Sequence, residues 1–175
     1  MRKSAIQQEA SDFDEYIKLV PDLDLADAFQ SSILLIENLD LQQANRVGNQ
    51  VYAPGKWTIK QILQHLIDEE RVMTYRALLL ARQEKEKPNL VDLVSFNQQA
   101  SLDDLVNDRT IESLQQEYLA VRKSTVYLFN SFKPEVLLRK GSIYIYQVSV
   151  LSIGFFLIGH QLHHFRFLEE KYFNI

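Results

Sequence analysis

Along most of this chain, apolar residues recur at the three- and four-residue spacing of helices buried on one side. From Leu25 to Arg46, Phe29, Ile33, Ile36 and Leu39 form one such stripe. From Thr58 to Glu86, a second stripe contains Ile59, Ile62, Leu66, Met73, Ala77 and Leu80. Thr58 is placed to cap that helix, with Lys60 and Gln61 completing a capping box only in part. From Thr110 or Glu112 to Asn130, Leu114, Tyr118, Val121, Thr125 and Leu128 repeat at three and four. A fourth helix is predicted from about Gln147 to Tyr172. Glycine and proline are rare and fall at the breaks: Pro21, Gly48, Pro54-Gly55, Pro88, Pro134 and Gly141.

Two stretches depart from this period. SIYIYQVSV, near 142–150, alternates and is rich in β-branched and aromatic residues. It reads as a short extended entry to the fourth helix, because a lone strand has no partner. Asn89 to Asp108 lacks a clean period and reads as a crossover, with a short helix around Leu90 to Gln98. Four long helices predict an all-α four-helix bundle with a crossover segment between helices 2 and 3. Residues 1–175 form one domain in this reading, with 1–24 as an N-terminal extension.

The fourth helix carries two apolar stripes. One holds Leu151, Phe155, Ile158, Leu162 and Phe165; the other holds Val150, Ile153, Leu157, His160, His164 and Leu168. They lie on nearly opposite sides, so the helix is apolar almost all round. Such a helix is buried on both sides, within its own domain or against a partner subunit, and a homodimer is the expectation. Its most apolar window, VSVLSIGFFLIG, is too short to span a bilayer.

Length and composition narrow the picture. The 175 residues, 46 % hydrophobic and 24 % charged, suit one globular domain. A net charge of −4 with no basic block argues against nucleic acid as a partner. The absence of cysteine removes disulfides, thiolate metal sites and cysteine nucleophiles, and fits a cytoplasmic protein. MRKSAIQQEASDFDEYIKL has no apolar run behind its basic residues and is not a signal peptide.

Candidate chemistry concentrates in the histidines. The chain has four, and three of them, His160, His163 and His164, fall within five consecutive residues. On a helix, His160 and His164 stand about one turn and 40° apart and can aim at one point. His65, from a facing helix, can supply a third imidazole. Three neutral nitrogens with an open position make a metal site able to do chemistry. A pair of core histidines would each need separate hydrogen-bond partners; one ion satisfies both. His163 points about 60° the other way and reads as a neighbour of the site or a surface residue. Glu69 and Arg76 share an edge with His65, and Glu69, Glu70 and Arg76 are the candidate polar groups near the open position. Glu69 suits a fourth ligand, a general base or an imidazole acceptor, and Arg76 suits a carboxylate clamp. The alternative for HLIDEER is an acidic solvated edge paired along the helix. Tyr52 and Trp57 read as core anchors or as pocket walls. No HExxH, Glu-x-x-His, P-loop, GxGxxG or GxSxG motif occurs.

YAPGKWTIKQILQHLIDEERVMTYRALLLAR, followed some eighty residues later by GHQLHHFRFLEEKY, resembles the DinB-like superfamily of metal-dependent proteins. The aromatic-Gly-Lys-Trp-Ser/Thr lead-in, the His-Leu-x-Asp-x-Glu run and the Gly-His-x-x-His-His ending carry the resemblance, which spans Leu25 to Tyr172. It implies a four-helix bundle with a divalent ion held by His65, His160 and His164; three nitrogens suit Zn²⁺, Ni²⁺, Cu²⁺ or Fe²⁺, of which Zn²⁺ or Ni²⁺ is the expectation. It further implies frequent dimers and, in some relatives, thiol S-transfer or thiol-dependent isomerisation with low-molecular-weight thiols. The departure is VDLVSFNQQASLDD, where relatives often carry an acidic Asp-Glu-Asn stretch. The reading that follows is a metal-dependent enzyme, S-transferring or hydrolytic, acting on a small molecule and not on nucleic acid or membrane. The competing readings are a non-catalytic bundle that holds a metal and a small ligand, and a helical scaffold with structural histidines.

Overall fold

The computed structural model describes residues 1–6, 13–83, 104–143 and 146–173. Its helices are α1 (Phe13–Ile17), α2 (Leu25–Glu37), α3 (Leu41–Val47), α4 (Ile59–Arg82), α5 (Ile111–Asn130), α6 (Pro134–Leu137) and α7 (Val150–Lys171). A 3₁₀ turn at Asp104–Asp108 precedes α5, and strands β1 (Lys140–Ile143) and β2 (Tyr146–Ser149) precede α7.

Local chemistry sets the ends of these elements. Thr58 and Gln61 form a complete capping box at α4, each side chain bonding the other's backbone N–H. Ser149 and Ser152 do the same at α7, and Thr110 accepts from the Ser113 N–H at α5. The helix expected over Leu25 to Arg46 is two helices. Asp40 accepts from the Gln43 N–H and caps α3, so the break at Asn38–Asp40 follows from a better start one turn on. The extended entry expected near 142–150 is a hairpin instead. Its first half pairs antiparallel with its second, Lys140 opposite Ser149 and Ile143 opposite Tyr146. The strand's partner lies inside the same stretch, and the alternating pattern covers both arms. The short helix expected over Leu90 to Gln98 lies outside the described residues, as does Glu86.

Helices α2, α4, α5 and α7 make the bundle. α4 and α5 are parallel neighbours: Gln64 meets Arg109, Glu70 meets Arg122 and Thr74 meets Thr125. α7 runs antiparallel to α4, with His160 beside His65 and Tyr172 beside Trp57. α2 is antiparallel to α5, where Phe29 meets Phe129 and Ser32 meets Arg122. After α4 the chain therefore re-enters at the opposite end of the bundle. There Asn107 accepts bonds from Thr58 and Lys60 at the start of α4.

The interior has two apolar regions. One gathers Met73, Ala77, Phe129 and the first turns of α7. The other gathers Ile36, Ile59, Leu63, Leu114 and Leu168. Between them lies a polar layer. The Arg122 guanidinium, fully buried, bonds both oxygens of Glu70, with Nε at 2.9 and 3.0 Å. It also donates to Ser32 Oγ at 2.7 Å, Tyr118 Oη at 3.2 Å and the Leu157 carbonyl at 3.4 Å. Gln161 donates to the Ser32 carbonyl at 2.9 Å. All four bundle helices meet at this layer. HLIDEER is thus not a solvated edge throughout: Asp68 pairs along the helix with Arg71, while Glu70 points inward.

Residues before Leu25 are not merely an extension. In α1, Phe13 and Ile17 are buried and Phe13 stacks on Phe156 of α7 at 4.3 Å between ring centroids. This element packs on the side of α7 that carries Phe156, Gly159 and His163. Gly159 allows the approach: a Cβ there would lie 2.0 Å from the Tyr16 carbonyl oxygen. The bundle expected from sequence is the observed fold, with α1 added to its outside and a hairpin at one end.

Two substitutions test this packing. Gly159→Ala forces α1 away from α7 and is expected to lower unfolding free energy by about 1–3 kcal/mol, read by urea denaturation. Arg122→Met leaves the Glu70 carboxylate buried without its cation, at a cost of about 3–5 kcal/mol. Adding Glu70→Leu to it is expected to recover most of that loss; no recovery would show that the pair does not act as a unit.

Candidate metal centre

The three histidines chosen by helix spacing converge. His65 comes from α4, seven residues into its apolar face; His160 and His164 come from α7, one turn apart. His65 Nε2 lies 3.2 Å from His160 Nε2, and His160 Nε2 lies 3.1 Å from His164 Nε2. One ligand atom from each falls within 4.8 Å of the other two. His65 and His160 are buried and His164 is partly so.

Neighbouring rings hold these imidazoles in place. Phe156 lies nearly parallel to the His160 ring, at 5.4 Å and 11°, and Tyr16 from α1 meets its edge at 5.1 Å. Trp57 packs on His65 at 5.0 Å. The geometry resists explanation by hydrogen bonds alone. His160 Nε2 faces two other Nε2 atoms, and one ring nitrogen carries either one proton or one in-plane lone pair. A cation at the centre takes a lone pair from all three. Bonds of about 2.0–2.1 Å in a tetrahedron place nitrogens about 3.3 Å apart, close to the spacings seen. The donor set therefore fits a divalent ion of the borderline class that favours imidazole.

Burial and mutual proximity keep His160 and His164 neutral. Burial pushes His160 well below the ordinary histidine value, helped by His164, His65, His163 and Arg122 nearby. His164 falls to about 3 from the ordinary 6.5, through burial first and then through His65 and His163. Neutral imidazoles are the form that binds metal.

Of the other candidates, His163 is exposed and meets the edges of Tyr16 and His164. Glu69 and Arg76 are both buried on α4. Glu69 is not part of the three-residue cluster found among the described residues, and Arg76 Nη1 lies 3.6 Å from Met73 Sδ. Glu70 is taken up by Arg122 and is not available to a site. His164 opens on a cavity of about 310 Å³ walled in part by Tyr52 and Trp57, so these aromatics are walls as well as anchors. Glu69, Glu70 and Arg76 do not line that cavity. Sequence reasoning missed Lys56, which does. It stands in the YAPGKW lead-in, and its neighbours gave the only signal.

Comparison with known proteins agrees with this geometry. The chain matches the DinB superfamily over residues 7–168 and belongs to it. Its fold is similar to that of YfiT from Bacillus subtilis, described as a probable metal-dependent hydrolase with an unusual four-helix bundle topology. The TM-score is 0.64 at 15 % identity, covering 94 % of this chain and 89 % of YfiT. No curated protein sequence matches the chain. No described helix is long and apolar enough to cross a membrane.

The depressed histidine values set a pH dependence for the metal-free protein. The unfolded chain takes up protons near pH 6.5, whereas folded His164 does so only near 3 and His160 well below its ordinary value. Unfolded chains thus bind more protons in that window, so stability falls as pH drops below about 6.5. The slope is at most about 1.4 kcal/mol per pH unit for each histidine. Melting temperatures of the metal-free protein between pH 7.5 and 5 are expected to decline, and less steeply in the His160→Gln/His164→Gln variant. An equal slope in both proteins would refute the assignment.

Proposed function

We propose that this member of the DinB superfamily is an enzyme that depends on a divalent metal ion, held by His65, His160 and His164. The observation that carries this reading is the convergence of three Nε2 atoms, 3.1–3.2 Å from nitrogen to nitrogen along the chain of contacts. His160 and His164 are kept neutral, and His164 lines an adjoining cavity. Zn²⁺ and Ni²⁺ both suit three imidazoles. When bound, such an ion supplies Lewis acidity that makes a water or thiol nucleophilic near neutral pH.

The chain's own residues do the rest. Phe156, Tyr16 and Trp57 fix the imidazole planes, so the donors are oriented before any ion arrives. The aromatic walls around His164 exclude bulk water from one side of the reacting centre. Two reactions share these parts. In hydrolysis, a water oxygen attacks the electrophilic carbon, the bond from that carbon to its leaving group breaks, and the leaving group departs with a proton the water gave up. In S-transfer, a thiol sulfur attacks that carbon, and the leaving group departs with the proton the thiol gave up. The superfamily resemblance favours a low-molecular-weight thiol as one substrate, and the likeness to YfiT favours hydrolysis. Glu69 and Arg76 remain candidates for proton transfer and anion holding by their place beside His65 on α4. The cavity lining lends them no support, so the reading stands on the histidines.

The test begins with metal content, by elemental mass spectrometry on untagged protein purified without chelator and then reconstituted with Zn²⁺ or Ni²⁺. About one ion per chain is expected in the wild type. His65→Ala and His160→Ala are each expected to weaken binding at least ~100-fold, the loss of one of three ligands. Ester hydrolysis and conjugation of a small thiol to an electrophile are then assayed with and without chelator. Equal metal content in wild type and both variants, or turnover indifferent to chelator, would sink the proposal.

A further inference from the structure

We propose that the cavity beside His164 binds a small molecule with a flat apolar body and one anionic group. Lys56 pairs with the anion, and the opposite end of the molecule faces the histidines. The second half of this statement rests on the metal reading; the first half does not.

Three observations carry it. The cavity, about 310 Å³, lies at the small end of ligand sites, which run roughly 300–1,000 Å³, and suits a metabolite rather than a polymer. Its walls include the rings of Tyr52, Trp57, Phe167 and Tyr172. These rings brace one another: Tyr52 meets Phe167 edge-on at 5.4 Å and Tyr172 at 5.5 Å, and Tyr172 Oη donates to the Trp57 carbonyl. Fixed ring faces favour a flat apolar partner over a flexible polar one.

The third observation is charge. No acidic side chain lines the cavity, whereas Lys56 and the exposed His163 do. Lys56 makes no ion pair among the described residues, and its place on the rim is fixed. The Lys56 N–H donates to the Ala53 carbonyl at 3.2 Å across Pro54-Gly55, and Gly55 has φ +74°. That is the pattern of a type II turn, with proline and then glycine at the central positions. A cation on the lining of an aromatic box, with no acid beside it there, selects for an anionic group on a flat molecule.

Trp57 is the chain's single tryptophan, so its fluorescence reports on this cavity and, through its contact with His65, on the histidine cluster, which is why the metal-free titration is read first. The probes are phenylacetate, benzyl alcohol and benzylamine, titrated at pH 7.5 into metal-free and Zn²⁺-loaded protein. In the metal-free protein, phenylacetate is expected to change the emission saturably and to bind about two- to fivefold tighter than benzylamine, the scale of one exposed ion pair. Lys56→Met, an exposed substitution, is expected to erase that preference while leaving benzyl alcohol binding in place. Equal affinity for phenylacetate and benzylamine, or a preference that survives Lys56→Met, would overturn the proposal. Elemental analysis of the same samples separates it from the metal reading. Anion preference without bound metal sinks the metal reading alone; bound metal without anion preference sinks this one alone.

Discussion

Arg122 is wholly buried at the middle of the bundle, and its five donors reach α2, α4, α5 and α7 from one point. A guanidinium in that position tolerates no sliding. Moving α4 by one residue against α5 carries Glu70 away and leaves two buried charges unpaired. An apolar layer could be repacked with a shifted register at modest cost, because dispersion contacts are not directional. The polar layer therefore fixes register, and the apolar regions on either side supply most of the favourable burial.

That register is what the metal centre needs. His65 stands five residues before Glu70 on α4, and His160 stands three after Leu157 on α7. Arg122 holds both Glu70 and the Leu157 carbonyl, so it ties together the helices that bring the histidines. Gln161, next to His160, adds a bond to the Ser32 carbonyl. The 3.2 Å spacing between the His65 and His160 nitrogens thus lies next to a buried network that fixes the register of both helices. A site built this way is preorganised by a second set of residues.

The legibility of this protein in its sequence divides along the same line. The helical stripes, the breaks and the convergence of His65, His160 and His164 follow from local spacing, and local spacing is written in a single sequence. The role of Glu70 is not. In HLIDEER it sits among other acids, and its partner is 52 residues away on a parallel neighbour. Nothing local separates it from Asp68, which does pair along the helix. The end of α2 was missed because the apolar stripe runs through Leu39, although Asp40 offered a cap. The strands at 140–149 were read as one arm because their pattern does not mark the turn. For α1, a signal was present. Gly154 and Gly159 each cost a helix about 0.5–1 kcal/mol relative to alanine, so two of them in α7 imply neighbours that come close. Gly154 meets Leu25 and Phe129, and Gly159 meets α1.

The histidines themselves work against the fold that holds them. Kept neutral by burial, they forgo the solvation and protonation available in the unfolded chain. Their close approach, nitrogen to nitrogen, gains little from hydrogen bonds that cannot all form. Such an arrangement persists because Arg122 and the apolar regions over-determine it, and a cation that accepts three lone pairs together would relieve it. This is how local strain at a site comes to signal function. The cluster costs stability in isolation, it sits at the mouth of an aromatic cavity, and the residues around it are arranged to prevent its relaxation. A core built only to be stable would place aliphatic residues at His160 and His164, as the stripe does at Val150, Ile153, Leu157 and Leu168.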